Sequence, residues 1–225
     1  MTKPIPKRKT PEKADTMGVT LLMEAAKHNA IDKILECLDA GHNIDATDNA
    51  GYTALMHGVV AGAEEAALML MHHKAALGNT NRAGQNALHM ATTKTSEDSM
   101  DQVVERWAKL QGPLDAQDKL DHHTPLMNAI AAGNIWQAVR LVDAGADFDT
   151  LADKQGYTAE RQARMRFEAK DFNFFKIATD KRRADEAKRA LEKREAISRA
   201  VKTLKDDVSA PAVARFRKKG VSPSP

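Results

Sequence analysis

Gly51-Tyr52-Thr53-Ala54-Leu55-Met56-His57-Gly58-Val59 decides the fold, because the block recurs along the chain. Gly18-Val19-Thr20-Leu21-Leu22-Met23-Glu24-Ala25-Ala26 precedes it by 33 residues, and Gly84-Gln85-Asn86-Ala87-Leu88-His89-Met90-Ala91-Thr92 follows it by 33. A fourth block, His122-His123-Thr124-Pro125-Leu126-Met127-Asn128-Ala129-Ile130, comes after 38 residues, and a fifth, opening at Gly156-Tyr157-Thr158-Ala159, after 34. Five aligned blocks define a repeat protein, in which each unit buries its apolar face only against its neighbours.

Each position has a physical role. The Gly supplies the backbone freedom a tight turn needs. The Thr caps a following helix, and Pro125 or an Ala suits its first turn. Leu22 and Ala25, Leu55 and Gly58, Leu88 and Ala91, and Leu126 and Ala129 each share a helix face, three residues apart. The small partner lets the next helix approach closely. A second helix follows, with apolar positions Ile34, Leu35 and Leu38, then Ala67, Leu70 and Met71, then Ala138, Leu141 and Val142. Gly41 and Gly145 are placed to end it in left-handed geometry, and Lys74 stands where the second repeat would have that Gly. Asp45 and Asp48, Asp115 and Asp118, and Asp147 and Asp149 occupy the linking turns.

These residues resemble the ankyrin repeat, a unit of about 33 residues with a β-turn finger and two antiparallel helices, marked by Thr-Pro-Leu-His-x-Ala-Ala. His123-Thr124-Pro125-Leu126 and Leu88-His89-Met90-Ala91 carry that mark most plainly. The resemblance implies an all-α solenoid of about four to five helix-turn-helix repeats over about residues 18–170. The third repeat carries extra residues around Thr93–Gly112, with Met100, Val103, Val104, Trp107 and Leu110 as its apolar set. The fifth has Glu160 where a buried Leu belongs, then Arg161, Arg164 and Arg166, as a closing repeat with a wet outer face would.

Composition agrees with packed helices. Hydrophobic residues make up 42% of the 225, yet aromatics only 4%, so Ala, Leu, Val, Ile and ten Met must fill the core. The single Cys37 excludes an internal disulfide, and no run reaches the roughly 18–20 apolar residues of a membrane span. The expected location is therefore cytoplasmic. The net charge of +3 is unevenly spread: residues 1–17 hold five Lys/Arg against two acids, residues 18–175 hold 14 against 22, and residues 176–225 hold 15 against seven. Expected boundaries are a disordered basic segment at 1–17, the repeat domain at 18–175, a charged helix at 176–210 and a disordered basic tail at 211–225. Ala184, Ala187, Leu191, Ile197, Val201, Leu204 and Val208 trace a thin apolar stripe on that helix. Phe167, Phe172, Phe174 and Phe175 are placed to join it to the repeats.

No chemistry-bearing motif stands out. The adjacent pairs His72-His73 and His122-His123 point apart and lack the further ligands a metal needs. Cys37 occupies a core position, and no phosphate loop, nucleophile elbow or zinc-protease motif occurs. The reading is therefore non-enzymatic, with no catalytic residue, metal or cofactor. Resemblance to the family places the binding surface on the finger tips, at Asn49, Tyr52, Arg82, Gln85, His123 and Tyr157. It adds the inner-helix positions Lys27, His28, Val60, Thr93, Lys94 and Ala131. Tyr and Arg lead that set as residue types enriched at interface hot spots. The expected function is a protein–protein interaction scaffold: an adaptor, an inhibitor or an effector-type binder. The alternative gives the binding to the basic helix and tail, with Arg215, Arg217, Lys218 and Lys219 contacting nucleic acid or an anionic membrane surface.

Overall fold

The computed structural model describes residues 14–93 and 101–209. The chain falls into two units, the first ending at Thr179 and the second running from Asp180 onward. Ten helices and no strands occur among the described residues. The inner row is α1 (Leu21–Lys27), α3 (Ala54–Ala61), α5 (Ala87–Ala91), α7 (Pro125–Ala131) and α9 (Ala159–Arg166). The outer row is α2 (Ile31–Asp39), α4 (Glu64–His72), α6 (Asp101–Lys109) and α8 (Ile135–Ala144). Within the first unit each inner helix touches the next inner helix, and each outer helix the next outer one.

The inner helices start where a side chain can cap them. Thr20, Thr53, Thr124 and Thr158 hydroxyls accept from the backbone N–H three residues on, at 3.3, 3.3, 3.3 and 3.4 Å. Asn86 does the same with its Oδ1, at 3.1 Å. Each such cap contributes about 1 kcal/mol. The helix pairs reverse through left-handed residues, Asn29, Gly62 and Gly133. Ala30, Ala63 and Asn134 then donate back to Ala25, Gly58 and Ala129, all at 2.9 Å. Outer helices end equally regularly, at Gly41, Lys74, Gln111 and Gly145 with positive φ. Lys74 thus adopts the conformation a Gly there would take without strain.

The core lies between the two rows. Leu22, Leu55, Leu88 and Leu126 are at most 2% exposed, and the small residues Ala25, Gly58, Ala91 and Ala129 are buried beside them. Burying each Leu is worth about 2 kcal/mol. Trp107 of α6 is fully buried and its indole N–H donates to Pro113 O at 3.1 Å. The extra residues of the third repeat therefore bring the largest core side chain with them.

Two expected core positions are corrected. Leu35 is 37% exposed, because Ile34, Cys37 and Leu38 form the inward i, i+3, i+4 set and Leu35 lies about 100° round the helix. Leu110 is 41% exposed, since α6 ends at Lys109 and the chain turns away through left-handed Gln111. Met100 lies outside the described residues.

The last helix, α10 (Ala169–Ser209), begins within the first unit. There Phe175 is fully buried in the core, with Phe167 at 6.1 Å between ring centroids and Phe172 half-buried beneath Arg164. In the second unit, α10 carries the i, i+4 pair Arg182–Glu186 at 2.7 Å. Its described apolar residues Leu191 and Ile197 are exposed.

Candidate protein-binding face

Between consecutive repeats the chain makes a finger, and one carboxylate or amide shapes each of them. Asp15 Oδ1 accepts from Met17 and Val19 N–H, both at 2.8 Å. Asp48 Oδ1 accepts from Ala50 and Tyr52 N–H at 2.9 and 2.8 Å, and Asp153 Oδ1 from Gln155 and Tyr157 N–H at 2.9 and 2.8 Å. Asn81 takes Gln85 N–H at 2.9 Å, and Asp118 takes those of Asp121 and His123 at 3.0 and 3.3 Å. Burial raises the pKa of Asp118, but the bonds from Asp121, Gln85 and His123 outweigh it and hold the carboxyl below its usual range. The fourth finger is one residue longer, and His122 takes the left-handed position that Gly fills elsewhere.

Neighbouring fingers are joined through the backbone. Asn49 N–H donates to Met17 O at 2.9 Å, Arg82 to Ala50 O at 3.0 Å, Lys119 to Ala83 O at 2.8 Å and Lys154 to Asp121 O at 2.9 Å. The tips therefore stand in one row, each held by the one before it. Inner-helix side chains brace the row from behind. His57 Nε2 lies 3.0 Å from Asp48 Oδ2, and Gln162 Nε2 donates to Asp153 Oδ2 at 2.6 Å. Buried His89 donates from Nε2 to His123 O at 3.1 Å, and desolvation pushes its pKa below the ordinary value.

Of the finger residues singled out above, Asn49 and Arg82 are exposed, and Tyr52, Gln85, His123 and Tyr157 are half-buried. Tyr52 stacks at a tilt on His57, 5.7 Å between centroids, and the Arg161 guanidinium sits 4.1 Å over the Tyr157 ring. Asn49 Nδ2 reaches back to Thr16 O at 3.2 Å, and Gln85 Nε2 to Asp118 Oδ2 at 3.4 Å. Lys27, His28, Val60, Thr93 and Ala131 are exposed at the ends of α1, α3, α5 and α7, with Lys27 and His28 both beside Glu24. Lys94 and the tail residues Arg215, Arg217, Lys218 and Lys219 lie outside the described residues.

His123 and Tyr157 come together in a cleft of about 310 Å³, with Ile130, Asp153, Met165 and Arg166. Residue-type reasoning passed over Met165, 63% exposed in the cleft, and the exposed finger residues Met17 and Leu120. For Met17 and Leu120 the signal was the register, since Met17, Ala50, Ala83 and Leu120 all sit two residues after the finger Asp or Asn. A larger hollow of about 500 Å³ lies behind, between α6 and α8, beside exposed Trp136. Among the described residues, no three His, Cys, Asp or Glu converge as metal ligands, and no helix is long and apolar enough to cross a membrane.

A stack of helix pairs joined by capped, backbone-linked fingers defines a helix-pair repeat protein. Residues 22–113 match the family model for ankyrin repeats, in three copies. Over those residues the chain carries ankyrin repeats. Its fourth and fifth units lie mostly beyond the matched residues and repeat the same caps and finger links. Ankyrin repeats are protein–protein interaction modules and typically not enzymes.

Proposed function

We propose that this protein is a non-enzymatic scaffold that recognises one partner protein through its finger tips and inner-helix ends. The supporting observation is the row of linked fingers. Exposed Asn49 and Arg82, half-buried Tyr52 and Tyr157, and the apolar Met17 and Leu120 lie on fingers tied to one another by backbone hydrogen bonds, Met165 lines the cleft beside Tyr157, and exposed Val60 ends an inner helix. Rigid placement lowers the ordering cost of binding, and mixed aromatic, Arg and apolar residues are the usual hot-spot chemistry. A role as adaptor, inhibitor or effector-type binder, acting in the cytoplasm, is the reading that fits.

The test is affinity purification from the native cell with the full chain and with Tyr52→Ala/Arg82→Ala. The expected result is loss of the specific partner from the double variant while its cooperative melting persists. Undiminished recovery by a folded double variant overturns the assignment of this face.

A further inference from the structure

We infer that the fingers of repeats three to five receive an extended, acidic segment of the partner protein; this rests on the face assigned above. The body is acidic, with 22 acids against 14 Lys/Arg over residues 18–175. Yet in these three fingers the tip residue after the Asp or Asn is Arg82, then Lys119, then Lys154. All three are exposed, and among the described residues they form no ion pair. Among the described residues their one side-chain hydrogen bond is a long one, Lys154 Nζ to Leu120 O at 3.5 Å. Their backbones are tied finger to finger, at 2.8 Å for Lys119 and 2.9 Å for Lys154, so the charges form an ordered row. Arg166 extends the positive field into the cleft beside Tyr157.

The finger acids do not cancel this row. Asp118 and Asp153 are buried and occupied by their own finger amides, which leaves Asp121 and Asp149 as exposed carboxylates of these linking turns. Packed helices stand about 8–10 Å apart. A polyproline-II-like segment returns every third side chain to one face at about 9 Å, so acidic residues three apart match the tips. Leu120 and Met165, both about 60% exposed, offer apolar seats beside the charges. The ring faces favour a peptide over single-stranded nucleic acid, which needs open aromatics for stacking. Tyr157 is covered by Arg161 and Tyr52 leans on His57.

A random dodecapeptide display library panned on the full chain tests this. Expected is enrichment of acidic peptides that carry a large apolar residue. The leading peptide, made as a fluorescent probe, should bind Arg82→Ser/Lys119→Ser/Lys154→Ser about tenfold more weakly or worse. The charge-keeping variant Arg82→Lys/Lys119→Arg/Lys154→Arg should bind normally. So should Lys181→Ser/Lys188→Ser/Lys193→Ser, which removes the same charge from α10. Melting curves confirm that each variant folds. Neutral or basic peptides, no enrichment, equal weakening by the α10 variant, or stronger binding of a single-stranded DNA dodecamer each overturn the proposal. Non-acidic peptides that lose binding to Tyr52→Ala would leave the binding face standing and remove only the acidic segment. Acidic peptides indifferent to both Tyr52→Ala and the finger variant would remove both.

Discussion

Gly51 and Gly156 occupy the same motif position with nearly the same backbone, φ 85° and 78°, yet their surroundings differ. A Cβ on Gly51 would stand 3.0 Å from both Arg82 N and Asn81 Cα of the next finger, whereas one on Gly156 meets nothing within 4 Å. Alanine at either site suffers the left-handed strain of about 1–2 kcal/mol, partly offset by a stiffer unfolded chain. At Gly51 the next finger must also move, which weakens the 3.0 Å Arg82–Ala50 bond, itself worth about 1 kcal/mol, and adds overpacking of about the same size. Gly51→Ala should therefore cost about 2 kcal/mol more than Gly156→Ala. For a chain of this size that is roughly 4–8 °C of additional loss in melting temperature. Gly62→Ala controls for central position, because it too has positive φ and open space. Thermal melts by circular dichroism read all three. Equal losses at Gly51, Gly62 and Gly156 would refute the role given to the finger link.

His89 and Trp107 provide two further tests. Burial lowers the folded pKa of His89, so the unfolded chain takes up the proton first. Its contribution is present above about pH 6.5 and is lost as pH falls below that value, at no more than about 1.4 kcal/mol per pH unit. Melts at a series of pH values should show a shallower acid loss for His89→Gln than for the parent; an unchanged slope would remove this role. Trp107→Ala should cost about 3–5 kcal/mol, read as a lower urea midpoint, because the fully buried ring leaves a cavity and Pro113 O loses its donor. A cost below about 1 kcal/mol would mean that the site collapses around the gap.

The repeat, its caps and its small-residue helix contacts were legible because each needs a particular side chain at a particular place. Thr20, Thr53, Thr124 and Thr158 stand where the block puts them, and Asn86 replaces the hydroxyl with an amide of equivalent reach. Leu35 and Leu110 misled because hydrophobicity alone does not say on which side of a helix end or stripe a residue falls. α10 starts at Ala169, seven residues before the expected 176, because Phe172 and Phe175, expected as a joint to the repeats, are instead turns of the helix itself. The links between fingers were invisible for a deeper one. They run from backbone N–H to backbone O, and any residue but Pro can donate them. On the binding face, Tyr and Arg were found by type, whereas Met17, Leu120 and Met165 became visible only by position.

The spacing of the fingers has a consequence of its own. Asp48 and Asn81 are 33 residues apart, Asn81 and Asp118 are 37, and Asp118 and Asp153 are 35, yet the three links between their tips measure 3.0, 2.8 and 2.9 Å. The front edge is thus a ruler whose graduations do not depend on how much chain is stored behind each mark. The count between one finger and the next can change, as the 37 residues from Asn81 to Asp118 show, without lengthening the link between the tips. Selection, or an engineer, can lengthen the back of this molecule while leaving its recognition code in phase.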